Sequence, residues 1–284
     1  MTPQEVSARF DRPIFIVSMP RSGSTLLFET LAQAPNLYTI GGESHRFIEG
    51  LAPFTPVAHG WQSNRLTGVD AGHPAVTLLT DAFYKYLKDR DGRRADGRVR
   101  MLEKTPKNSL RVPFLDAIWR DGLFVYLYRD PHQALASMMR AWESGKFKTY
   151  SNLPGWAGLP WSLVLVPGWR ELIGSPLPEI VAHQWATATN VLLDDLENLP
   201  SGRVIGLDYD ELIADTQPVM KGLASQLDLA WDRSLTEQLP ASKMTLTAPK
   251  ADKWRELESE IASVWPIVAD ADVRARNFLR SLRN

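Results

Sequence analysis

The chain contains no cysteine. That excludes disulfides, thiolate nucleophiles and cysteine-ligated metal sites in one step, and it fits a reducing compartment. It carries no excess of either charge. Its 32 Lys and Arg against 33 Asp and Glu leave a formal net charge of -1, so no basic field argues for nucleic acid. Long apolar runs are missing too. LFVYLY at 123–128 is strand-sized, well short of the roughly 20 residues of a membrane span. The opening residues, MTPQEVSARFDRP, lack the basic start and apolar stretch of a signal peptide. His59, His73, His132 and His183 stand at no ligand spacing, so no metal is expected. The expectation is a cytoplasmic protein without a membrane span or a nucleic-acid partner.

What is present is an alternation of short apolar runs and longer helical patterns. Ile14–Ser18 is β-branched and bounded by Pro13 and Pro20, which predicts a buried strand. Ser24–Gln33 follows with helical spacing. Ala75–Lys88 carries Leu78, Leu79, Ala82, Phe83, Tyr86 and Leu87 on one stripe. Val99–Glu103 and Leu123–Arg129 read as strands, His132–Trp142 and Glu179–Leu196 as helices. Arg203–Tyr209 reads as a strand and Glu211–Leu227 as the helix after it. This order predicts an α/β fold, three layers with a central parallel sheet flanked by helices, in one domain over 1–284. Ligands of such sheets lie at the carboxyl ends of the strands. Two segments break the rhythm. Gly50–His73 is rich in Pro and Gly, and 146–178 holds Trp156, Trp161 and Trp169 among Pro and Gly, as an insertion or lid would.

The stretch FIVSMPRSGSTLLFETL at 15–31 is a strand, a tight loop and a helix, the build of a phosphate-binding loop. Gly23 admits an anion close to the backbone. Ser22, Ser24 and Thr25 add hydroxyls, and Arg21 supplies a planar charged fork. The G-x-x-x-x-G-K-[ST] spacing of nucleotide triphosphatases is absent. A second anchor is YRDPHQALASMM, where Arg129 ends a strand and Ser137 stands eight residues on, on the following helix.

The two anchors together resemble sulfotransferases that use 3'-phosphoadenosine-5'-phosphosulfate (PAPS), with motifs nearest to the tyrosylprotein type. The resemblance implies a P-loop-like sulfotransferase fold with PAPS as donor and no metal. It implies that Arg21, Ser22, Gly23, Ser24 and Thr25 bind the sulfuryl end, and Arg129 and Ser137 the 3'-phosphate. GGESHR resembles the GEETR segment of the tyrosylprotein enzymes and puts Glu43 at their catalytic glutamate. LEKTPKN puts Lys104 at a catalytic lysine. LDYDEL makes Tyr209 a nucleotide contact, and TLTAPKADKW makes Thr247, Lys250 and Lys253 candidates to close over the phosphates. The arginine of GEETR is replaced by His45, with Arg46 next. Cytosolic small-molecule enzymes use a histidine base, so Glu43 and His45 both stand as candidates.

The implied reaction is in-line sulfuryl transfer to an acceptor hydroxyl. Arg21 and Lys104 would meet the charge on the leaving oxygen, and partial burial would raise Glu43 toward the working range of a base. Trp142, Trp156, Trp161 and Trp169 either line an apolar acceptor pocket or pack as core beneath a long loop. A lined pocket implies an apolar small molecule or a carrier-bound acyl chain as acceptor. The rival readings are a P-loop kinase using ATP and magnesium, and a nucleotide-binding protein without catalysis. Nothing in the sequence sets an oligomeric state.

Overall fold

The computed structural model describes residues 3–234 and 252–283. Helix α1 (Pro3–Arg9) precedes strand β1 (Ile14–Val17), and α2 (Ser24–Leu31) follows it. Strand β2 (Leu37–Tyr38) leads to the short α3 (His45–Ile48). Helix α4 (Ala75–Tyr86) precedes β3 (Arg100–Lys104), and α5 (Val112–Ile118) connects it to β4 (Leu123–Tyr128). Helix α6 (Pro131–Glu143) comes next, then the short strands β5 (Lys148–Tyr150) and β6 (Trp161–Ser162). Helix α7 (Leu177–Glu197) leads to β7 (Val204–Asp208). Helices α8 (Tyr209–Ala214), α9 (Thr216–Gln226) and α10 (Glu258–Ser281) follow.

The central sheet has the order β2-β3-β1-β4-β7, and every neighbouring pair is parallel. That is the α/β architecture the strand–helix alternation predicts. β1 and β4 are buried along their whole length because helices cover both faces, which is why they read as unbroken apolar runs. Phe15 and Val17 point to one face with Phe124 and Tyr126. Ile14 and Ile16 point to the other, with Leu102, Val125 and the α2 residues Leu27 and Leu31. Burying each of these large side chains is worth about 2 kcal/mol.

One predicted element divides. The run read as a single helix over 211–227 is α8 and α9, broken at Asp215 (φ −128°, ψ 52°). Pro218 explains the break, since proline is tolerated in a first turn and not in a helix interior. All five strands are parallel, so the carboxyl ends of β1, β3, β4 and β7 share one edge of the sheet. The residues leaving that edge build the site.

Candidate functional site

After Val17 the chain turns through Ser18–Gly23 into α2. Arg21 (φ 68°) and Gly23 (φ 90°) both adopt the left-handed region. Such alternation makes an anion-binding concavity of successive amides, and the first turn of α2 adds its own N–H groups. Gly23 is required for a second reason. A Cβ there would lie 2.2 Å from the Tyr209 ring. Tyr209 opens α8 where β7 ends, so this ring packs directly on the loop. Ser22 and Ser24 are buried, while Thr25 is half-buried.

Arg129 leaves β4 and turns back to the same loop. It donates to the Arg21 carbonyl at 2.7 Å and to Gln133 Oε1 at 3.0 and 3.2 Å, and its guanidinium lies 4.4 Å from the centre of the Tyr209 ring. Asp130, its chain neighbour, is engaged elsewhere. It caps α6 through the His132 amide and accepts from Arg276 at 2.8 Å. Arg21 Nε donates to Ser137 Oγ at 3.2 Å, and the Arg21 guanidinium lies 4.6 Å from the Phe147 ring. The Arg21 backbone belongs to the first anchor, and its side chain reaches Ser137 of the second. Burial and then the neighbouring Arg129 charge pull the Arg21 pKa down from its ordinary value, against Glu43. Burial does the same to Arg129. Two desolvated cations this close are relieved by a bound anion.

The third cluster is at the end of β3. Lys104 is 3 % exposed and donates to Thr25 Oγ1 at 3.0 Å and to Glu43 Oε1 at 2.6 Å. His45 Nε2 lies 2.6 Å from the other Glu43 oxygen. Arg46 is not the partner of Glu43, since its guanidinium lies over Phe47 and Tyr86. Burial pushes the Glu43 carboxyl up, but the His45 hydrogen bond and the Lys104 charge outweigh it and hold the group at about 2. This corrects the expectation that burial alone would bring Glu43 into the range of a working base. His45 Nδ1 is buried and without a hydrogen-bond partner among the described residues, so that nitrogen does not face solvent.

The three C-terminal candidates are not brought to these clusters by any side-chain contact among the described residues. Lys253 starts a 3-10 turn whose backbone packs on α6, its carbonyl accepting from Arg140 at 3.2 Å, one turn beyond Ser137. Thr247 and Lys250 lie outside the described residues. No group of three His, Cys, Asp or Glu that could hold a metal ion is found among the described residues. Gln133, which braces Arg129, was missed; its i+4 spacing from Arg129 on a helix was the available signal.

The tryptophans form core and not a pocket. Trp142, Trp161 and Trp169 are buried, the Trp161 ring touching both of the others, with Trp156 packed on all three. Their indole N–H groups donate to Gln184 Oε1 and to the carbonyls of Val164, Trp61 and Leu159. The 146–178 segment still touches the site through Phe147 on Arg21, and reaches Lys107, just after β3, through Tyr150. The Tyr150 hydroxyl accepts from Lys107 at 3.2 Å and from Asn64. No helix among the described residues is long and apolar enough to cross a membrane.

Comparison with solved structures places this fold among sulfotransferases. Mouse sulfotransferase SULT7A1, solved with PAP, aligns over 98% of this chain and 90% of its own, at 13% identity and a TM-score of 0.52. A sulfotransferase from Alicyclobacillus acidocaldarius aligns over 96% and 100% at 18% identity and 0.48. The sulfotransferase domain of the Synechococcus PCC 7002 olefin synthase aligns over 92% and 96% at 18% identity and 0.47. No curated protein sequence matches the chain. The sulfotransferase family model matches residues 13–233, well over half the chain. The chain therefore belongs to the sulfotransferase family and is a sulfotransferase enzyme.

Proposed function

We propose that the enzyme transfers the sulfuryl group of PAPS to the hydroxyl of an acceptor, with Glu43 as the base and no metal. The observation that carries this reading is the position of Lys104. One buried ammonium bridges Thr25 of the anion loop and the Glu43 carboxylate, so the loop and the base share a single cation. The residues present fit the donor: a left-handed loop under Tyr209, two buried serines, and two desolvated guanidinium groups.

The donor, when bound, supplies a sulfuryl group whose transfer leaves adenosine 3',5'-bisphosphate. The loop amides with Ser22, Gly23, Ser24 and Thr25 hold the sulfuryl end. Arg129 and Ser137 hold the 3'-phosphate, with Tyr209 bracing Arg129. Arg21 stands between the two and serves both. Thr247, Lys250 and Lys253 are the candidates to close over the phosphates. Lys104 turns to the leaving-group charge, which frees Glu43. With that charge withdrawn, burial raises the Glu43 pKa from about 2, against the remaining His45 hydrogen bond, toward the range in which it can take the acceptor proton. His45 orients that carboxylate through its 2.6 Å contact. It is the weaker base candidate, because Nε2 is engaged by Glu43 and Nδ1 is buried.

In this reading 1–284 is a single cytoplasmic domain, and 146–178 is an insertion bordering the acceptor side through Phe147 and Tyr150. The acceptor is a hydroxyl-bearing apolar small molecule or a carrier-bound acyl chain. Incubation with radiolabelled PAPS and panels of alcohols and hydroxyacyl carriers should yield labelled product. Glu43→Gln should abolish it while adenosine 3',5'-bisphosphate still binds. Phosphate transfer from ATP and magnesium in place of sulfuryl transfer would select the kinase.

A further inference from the structure

Glu43 sits on the short connection from β2 to α3 and His45 opens α3, and a connection of this size does not hold itself. The segment 103–111 grips it. Strand alternation at the end of β3 sends Lys104 toward α2 and Glu103 to the opposite face, the side of Phe15. Lys104 takes the Glu43 side chain. Thr105 takes the backbone beside it: its Oγ1 accepts from the Ser44 N–H at 2.7 Å and lies 3.0 Å from Ser44 Oγ. The Thr105 hydroxyl donates to Glu103 Oε1 at 2.6 Å, and Glu103 Oε2 accepts from Asn108 Nδ2 at 2.5 Å. The far end of α3 is tied to the same segment. Glu49, whose amide donates to the His45 carbonyl at 2.8 Å, accepts from Lys107 at 2.6 Å and from Arg111.

Packing alone does not explain Glu103. It is 1 % exposed and no ion pair reaches it among the described residues. Burial pushes its carboxyl up from the ordinary range, against the hydrogen bonds from Thr105 and Ser44. An aliphatic side chain would fill the space without that desolvation cost. What an aliphatic side chain cannot do is fix a hydroxyl rotor. Because Glu103 accepts, the Thr105 hydrogen points away from the turn, and the Thr105 lone pairs are left to accept from Ser44. We propose that Glu103 is a positioning residue: acting through Thr105, it sets the Ser44 amide and with it the placement of Glu43 and His45. This rests on reading Glu43 as the base.

The test compares Thr105→Val, which deletes the hydroxyl at constant shape, with Thr105→Ser, which restores it. The Glu43 carboxyl is followed by carbon NMR against pH, with its signal assigned by Glu43→Gln. Thr105→Val should raise the Glu43 titration from about 2 by about one unit or more, as its contacts with Lys104 and His45 loosen. Thr105→Ser should leave it in place. Affinity for adenosine 3',5'-bisphosphate should stay within about threefold in both. Turnover should fall about 10- to 100-fold in kcat at constant donor KM. An unmoved Glu43 titration in Thr105→Val, or an equal shift in Thr105→Ser, overturns the proposal. If Thr105→Val does not fold, Thr105→Ala is read the same way. If neither folds, the network is a stability element and the proposal fails. A shifted titration in a chain that never transfers sulfuryl groups would sink the proposed function and leave this inference standing.

Discussion

Lys104→Met removes one buried charge and keeps the length of the side chain. Lys104 is 3 % exposed, and its 2.6 Å contact is with a carboxylate about one-quarter exposed. At an effective dielectric of about 20, a unit pair at about 4 Å is worth about 4 kcal/mol. Exposure of Glu43 screens part of this, so a rise of about two pKa units from the value near 2 is expected. The folded pKa of Glu43 lies below its unfolded value. Its contribution is therefore present above pH ~4.3 and is lost as pH falls through about 2. In Lys104→Met most of that contribution disappears, and only the part from the His45 hydrogen bond remains. The variant should be less stable than the parent by about 3 kcal/mol at pH 7 and by roughly half that at pH 3. Urea unfolding followed by tryptophan fluorescence at the two pH values reads the gap directly. A gap of the same size at both would refute the reasoning, because the ion pair would then not help to hold Glu43 ionised.

Three further outcomes follow from the geometry. Gly23→Ala places a Cβ 2.2 Å from the Tyr209 ring at φ 90°, so nucleotide affinity should drop more than about tenfold, with strain of about 1–3 kcal/mol in unfolding; unchanged calorimetric affinity would contradict it. Arg129→Leu removes a desolvated cation, and should cost about 2 kcal/mol of binding to adenosine 3',5'-bisphosphate and flatten its salt dependence. Trp161→Ala empties a fully buried position in the ring cluster and should cost about 3–5 kcal/mol of stability by denaturant titration. The folded fraction of Trp161→Ala should bind nucleotide like the parent, since the ring lines no pocket.

The elements that carry the site were the most legible in the sequence. β1 and β4 are unbroken apolar runs, rich in β-branched and aromatic residues and buried on both faces, and α6 opens with Asp130 as cap and Pro131 at its first position. The residues at their ends were readable for the same reason: a parallel sheet puts strand ends on one edge. α10 was not read, although Ile261, Val264, Val268, Ala271, Ala275 and Leu279 repeat at helical spacing. Pro266 interrupts that pattern, and charged residues dilute it. β2, two residues long, is too short for any periodicity. The Trp residues were ambiguous because indole serves equally as core and as pocket wall. Of the partners that decide the state of Glu43, His45 is two positions away and Lys104 is 61 positions away. Only the fold brings Lys104 to the carboxylate and sets the His45 ring against it, so no local pattern could show how far the group is held down.

The ligand that the folded protein prefers decides between the readings. Thermal unfolding with and without adenosine 3',5'-bisphosphate, against ATP with magnesium, tests it most directly. A ligand present at about 100 times its Kd should add about 2.7 kcal/mol to the folded state. The account predicts that protection from the bisphosphate alone, reduced in Arg129→Leu. Protection by ATP and magnesium with none from the bisphosphate would contradict it.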